Sequence, residues 1–140
     1  MPLTVEQMLA EFHGNPPSER AIIEQAERRA GFAFPGDYRD FLLKQNGGEG
    51  FIGLNYAMLW RAEELTEMNE GYSFTDLAPA ILAIGSNGGG EAYAFDRRTA
   101  EPSLVLIPFI GMDLDVAIPI AKSFHAFLER IYTSDLFEGG

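Results

Sequence analysis

The feature that most constrains this chain is a change of pattern at the glycines around residue 50. Before Asn46-Gly47-Gly48 the apolar residues recur at helical spacing. After Gly50 they come in short runs bounded by glycine, with a period of two. A chain written this way calls for helices first and then a sheet.

Thr4 and Gln7 have the spacing of a capping box, and Val5, Met8, Leu9 and Phe12 follow at i, i+3, i+4 and i+7. They predict a first helix that ends near His13, before Gly14-Asn15-Pro16-Pro17. Ser18 is placed to cap a second helix, with Ile22, Ile23, Ala26 and Ala30 inward and Gly31 ending it left-handed. Pro35 suits the first turn of a third helix carrying Tyr38, Phe41 and Leu42.

Strands are expected at Phe51-Ile52, Asn55 to Trp60, Ala80 to Ile84, Glu91 to Asp96 and Ser103 to Phe109. Arg61 to Met68 reads as a short helix and Tyr72 to Pro79 as a loop. In Glu91 to Asp96, Ala92, Ala94 and Asp96 alternate with Tyr93 and Phe95, the pattern of a strand covered on one face. Ser123 can cap a closing helix whose buried stripe is Phe124, Phe127, Leu128 and Ile131. The expected fold is therefore α+β: a mainly antiparallel sheet flanked by N-terminal helices and one C-terminal helix. One domain over residues 1–140 is expected, its core within about 18–132, with Phe41, Leu42, Trp60, Phe95, Ile107, Phe127 and Leu128 sharing that core.

Composition narrows the function. The 140 residues carry a net charge of −11, from 10 Lys and Arg against 21 Asp and Glu. Phosphate backbones are repelled by such a surface, which argues against direct nucleic-acid binding and for cationic partners. Solubility alone is the plainer explanation of the same charge. There is no cysteine, so thiolate metal sites and disulfides are excluded, which fits a reducing, cytoplasmic setting. The first residues form no basic region followed by an apolar run, and no stretch approaches the roughly 20 apolar residues of a membrane span.

Chemistry is poorly provided for. His13 and His125 have no second ligand at metal spacing and no nucleophile beside them. The run from Gly85 to Gly90 lacks the Gly-Lys-Ser/Thr ending of a phosphate-binding loop and precedes a strand, so it reads as a hairpin loop. Asp113 and Asp115 pair two carboxylates, which could hold a cation but more often make a polar turn. No catalytic residue, metal or cofactor is expected. Trp60 is either core or an aromatic anchor beside a cleft. Candidate partner-binding residues are Glu49, Trp60, Asn87, Glu91, Asp113 and Asp115, in or beside loops.

The run Phe34 to Leu42 (Phe-Pro-Gly-Asp-Tyr-Arg-Asp-Phe-Leu), followed by Asn46-Gly47-Gly48-Glu49-Gly50, resembles the helix-and-turn signature of the SUKH superfamily. Leu59-Trp60 with Glu63-Glu64-Leu65, the glycine-rich run Gly85 to Asp96, and Ser123 to Leu128 are similar to further family motifs, in family order. The resemblance implies an α+β domain with helices bordering a sheet, and no catalytic residues. For bacterial members it implies immunity proteins that bind and neutralise toxins, often nucleases. For the fungal Smi/Knr group it implies regulatory or scaffold binding modules. The absence of the long flanks of the fungal regulators favours the bacterial type. A small-ligand binder using Gly85 to Glu91 with Trp60 is the third possibility.

Overall fold

The computed structural model describes residues 3–110, 115 and 117–134. Its elements are α1 (Val5–Met8), β1 (Phe12–Gly14), α2 (Arg20–Ala30), α3 (Gly36–Lys44), β2 (Gly48–Ile52) and β3 (Asn55–Leu59), then a 3₁₀ turn (Ala62–Glu64), α4 (Leu65–Gly71) and α5 (Phe74–Leu77). β4 (Ile81–Ser86), β5 (Glu91–Asp96), β6 (Ser103–Pro108), β7 (Ile118–Ala121) and α6 (Phe124–Thr133) complete it. The seven strands form one antiparallel sheet in chain order, so the α+β architecture expected from the sequence is present.

Alternation decides which side chains face which layer. On β5, Tyr93 and Phe95 point to the layer of α3 and α6. Tyr93 meets Phe127 edge-on at 5.2 Å, and Phe95 meets Tyr38, whose ring also lies 5.0 Å from Phe124. Phe41, Leu42, Trp60, Phe95, Ile107, Phe127 and Leu128 all belong to one buried cluster. Ala92 and Ala94 point the other way and are buried too, so β5 is covered on both faces and not on one as its alternation implied. Trp60, Tyr72, Phe74 and Phe109 form a second aromatic layer there: Tyr72 and Phe109 are 4.2 Å apart, and Phe74 and Phe109 6.0 Å. Alanines beneath let those rings lie close to the sheet.

Several local expectations are corrected. α1 is a single turn, opened by the expected Thr4–Gln7 capping box, and Phe12 already pairs with Gly50 as a strand. Met8, Leu9 and Phe12 are all buried, so their spacing marked burial correctly but not conformation. His13 consequently sits in β1 opposite Glu49, not at a helix end. Glu19, not Ser18, occupies the α2 N-cap and makes no side-chain cap bond, so the first turn starts one residue later; the Ser18 N–H donates to the Leu42 carbonyl. The segment read as a loop contains α5, anchored by the buried Phe74. β7 was not expected. It contains Pro119, which an edge strand tolerates because proline has no N–H and an edge position can do without one.

Tyr38 is 1% exposed, and its hydroxyl has no hydrogen-bond partner among the described residues. Burial pushes its phenol well above the ordinary tyrosine range. Tyr38→Phe should therefore be neutral or stabilising, by up to about 1 kcal/mol, because it removes an unmatched polar group and keeps the ring. Urea unfolding midpoints check this. A loss above about 1 kcal/mol would mean that the hydroxyl is satisfied in the folded protein.

Candidate functional site

The sheet's two faces are covered unequally. Ile52, Ala57 and Leu59 are buried on the α6 side of β2 and β3. Their alternates face outward: Glu49 and Phe51 are exposed, and Tyr56 and Met58 are half-buried. His13, Glu49, Met58 and Ser86 are cross-strand neighbours in one row, and Phe51 and Tyr56 form the next. Trp60 continues the outward row, but Tyr72 and Phe109 close over it. Among the described residues the outer face is thus sealed at β4–β6 and open at β1–β3.

The Asn46-Gly47 turn sets the edge of the open part. Asn46 is buried, and its side chain accepts from the Ala62 N–H at 2.8 Å and donates to Glu63 at 2.7 Å. Its carbonyl accepts from the Asn15 side chain at 3.0 Å. Gly47 has φ +74°, and a Cβ there would lie 2.3 Å from the Leu59 carbonyl oxygen. Only glycine permits both the turn and that approach. These contacts bind the 3₁₀ turn and the end of β3 to the start of β2. Between them runs an open groove of about 440 Å³, lined by His13, Glu49, Met58, Trp60, Arg61 and Glu64 among others.

The groove itself carries two carboxylates, Glu49 and Glu64, beside Arg61 and His13. Along the sequence from Gln45 to Asp96 there are eight carboxylates against one cation, Arg61, with Lys44, Arg97 and Arg98 directly flanking that stretch. Arg61 is already engaged: its backbone N–H donates to Glu64 at 3.0 Å and its guanidinium reaches Asn15 at 3.4 Å. Tyr56 donates its phenolic hydrogen to Glu49, and that bond raises the Tyr56 pKa. Asp96 is buried and held below the ordinary carboxylate range by hydrogen bonds from Arg98, 2.7 Å away.

The candidate residues separate into groups. Glu49 and Trp60 line the same groove, and Trp60 is only 9% exposed, stacked nearly parallel on Tyr72 at 6.1 Å. It forms a wall there, not a projecting ring. Asn87 and Glu91 close the β4–β5 hairpin, where the Asn87 side chain donates to Glu91 at 3.1 Å. Three loop N–H groups, those of Gly88, Gly89 and Glu91, donate to the side chains of Ser86 and Asn87. They are committed within the loop and are not turned toward a phosphate. Asp115 is exposed and acts on the Arg98 guanidinium, past the end of β5 opposite to Glu91. Asp113 lies outside the described residues. Among the described residues no three His, Asp or Glu groups gather as a metal site, and no helix is long and apolar enough to cross a membrane. His125 lies 3.3 Å from Glu129, one turn on along α6 and away from the groove, which corrects the expectation that it has no partner at ligand spacing; no third ligand joins them among the described residues.

Phe51, Tyr56, Met58, His13, Arg61 and Glu64 were not among the sequence candidates. One signal pointed to Tyr56 and Met58. Tyr56 and Met58 alternate with Ala57 and Leu59, so β3 is apolar on both faces, and a strand of that kind must be covered twice or carry a contact surface.

The SMI1 / KNR4 family (SUKH-1) model matches residues 16–130, which include every groove residue named above except His13 and Asn15. The uncharacterized protein YnaB of Bacillus subtilis (strain 168) is 28% identical over 124 residues, covering 87% of this chain and 81% of that protein. With the motif order, the antiparallel sheet and this match in agreement, the chain belongs to the SMI1 / KNR4 family (SUKH-1).

Proposed function

We propose that the chain is a cytoplasmic protein-binding module that neutralises a cationic protein, a nuclease-type toxin, by direct contact and without chemistry of its own. One observation carries this reading: the net charge of −11, from 21 Asp and Glu against 10 Lys and Arg. Nucleases hold phosphate with basic surfaces, and an acidic blocker complements that field. Family membership and the loop N–H groups already used internally lend support.

Long-range charge mainly accelerates encounter, so the association rate should fall about tenfold or more between low and high salt. The measurement is stopped-flow association with a basic nuclease toxin domain. A triple Glu49, Glu67 and Glu70→Lys variant should associate slowly, protect cells poorly and keep its unfolding midpoint, since these charges are exposed and exposed charges add little stability. The purified protein should leave ester, phosphate and nucleic-acid substrates intact. A rate indifferent to salt, or full protection by the triple variant, would remove the acidic-surface mechanism.

A further inference from the structure

We infer that the open face of β2 and β3 holds an arginine side chain of the partner, stacked against Phe51 and Tyr56 and paired with Glu49. This inference rests on the protein-binding reading above and assigns it a place and a chemistry.

Phe51 is 51% exposed and meets Tyr56 edge-on, ring centroids 5.3 Å apart. Tyr56 donates to Glu49, so its ring and that carboxylate are fixed side by side. The Glu49 carboxylate pairs with no cation among the described residues. Met58, directly across from Glu49, adds a flexible apolar wall. The tip of the glycine loop borders the same patch: a Cβ on Gly88 would lie 3.5 Å from the Tyr56 ring. α6 packs on the opposite face of these strands, and no element among the described residues covers this one.

Each part answers one property of a guanidinium. Its flat face stacks on aromatic rings, its N–H fork matches a carboxylate, and it is desolvated more readily than an ammonium. Lysine has the charge but neither the plane nor the fork. The surrounding carboxylates bring a cationic partner in, and this patch then supplies aromatic and Met contacts of the kind enriched at interface centres.

The test is an amide-resolved NMR titration of the full chain with the peptide acetyl-Gly-Arg-Gly-amide at low salt, with lysine and citrulline versions as controls. Saturable shifts are expected at Glu49, Phe51, Tyr56, Met58 and Gly88, stronger for arginine than for lysine and absent for citrulline. Phe51→Ala and Glu49→Gln, both at exposed positions that leave the fold intact, should each weaken arginine binding by about 2–5-fold. Equal shifts with citrulline, or shifts centred on the α4 carboxylates, would overturn the site. So would a concentration-dependent dimer that protects these residues, seen by light scattering. Should the partner associate in a salt-dependent way while Phe51→Ala and Glu49→Gln leave both its rates unchanged, the protein-binding reading stands and this site falls.

Discussion

Phe95→Ala should destabilise the protein by about 3–5 kcal/mol, the usual cost of deleting a buried aromatic ring. Phe95 is 1% exposed and sits on the central strand β5, opposite Leu82 on β4 and Leu104 on β6. Its ring lies 5.4 Å from Phe32, in the α2–α3 connection, and 5.3 Å from Tyr38 of α3. Tyr38 in turn contacts Phe124 at the start of α6. Removing Phe95 therefore opens a cavity where the sheet meets two helices, in a place close-packed neighbours can fill only in part. Against a total stability of the usual 5–15 kcal/mol this is a large fraction. Urea unfolding followed by far-UV circular dichroism measures it, with Phe51→Ala as the surface counterpart expected to stay within about 0.5 kcal/mol. A Phe95→Ala cost below about 1.5 kcal/mol would mean that the core is looser than the ring contacts indicate.

The parts of the fold legible in the sequence are those whose signals are local. Ile23 and Ala26 are buried where helical spacing put them, and Gly31 ends α2 at φ 64°. Ser123 caps α6 by accepting from the Ala126 N–H. β5 spans Glu91 to Asp96 as its alternation indicated, because the period-2 pattern and the glycines before it are read within a few residues. α1 and β1 were not separable this way. The spacing of Val5, Met8, Leu9 and Phe12 fits a helix of two or three turns, but what stops the helix is the ladder with Gly48–Gly50, far along the chain. The double covering of β5 is also non-local, since Trp60, Tyr72 and Phe109 come from three separate segments.

The candidate site was legible to a smaller extent, for a related reason. A site made by leaving one stretch of sheet uncovered has no signature of its own. Phe51, Tyr56 and Met58 look like core residues, and what sets them apart is that α6 fills only the other side of β2 and β3. Glu49 and Trp60 stand out through their motifs, yet they meet only because Asn46 and Gly47 fasten the 3₁₀ turn to the edge of β2.

Asn69→Ala should cost about 2–5 kcal/mol, although it deletes only a small polar side chain. β3 pairs with β4 only at Met58–Ser86 and Leu59–Gly85, with one further bond from the Trp60 N–H to the Ile84 carbonyl. Beyond that point β3 has left the sheet, and the buried Ala83 backbone loses its strand neighbour. Asn69, 4% exposed on α4, takes the strand's place. Its Oδ1 accepts from the Ala83 N–H at 2.8 Å, and its Nδ2 donates to the Ala83 carbonyl at 2.9 Å and to the Leu65 carbonyl at 2.8 Å. The amide thus matches a peptide group, donor and acceptor together, and alanine would leave two buried backbone groups without partners. Asn69→Asp separates this from a packing effect. Aspartate keeps an acceptor for the Ala83 N–H but turns a second oxygen toward two carbonyls, so burial and repulsion raise its folded pKa above the unfolded value near 4. The folded state then binds more protons, and the penalty is present at neutral pH and recedes as pH falls toward the unfolded pKa. Urea melts of both variants at neutral and mildly acidic pH check the pair: the aspartate defect should shrink on acidification and the alanine defect should not. A cost below about 1 kcal/mol for Asn69→Ala would show that Ala83 finds other partners and that Asn69 does not close the gap between β3 and β4.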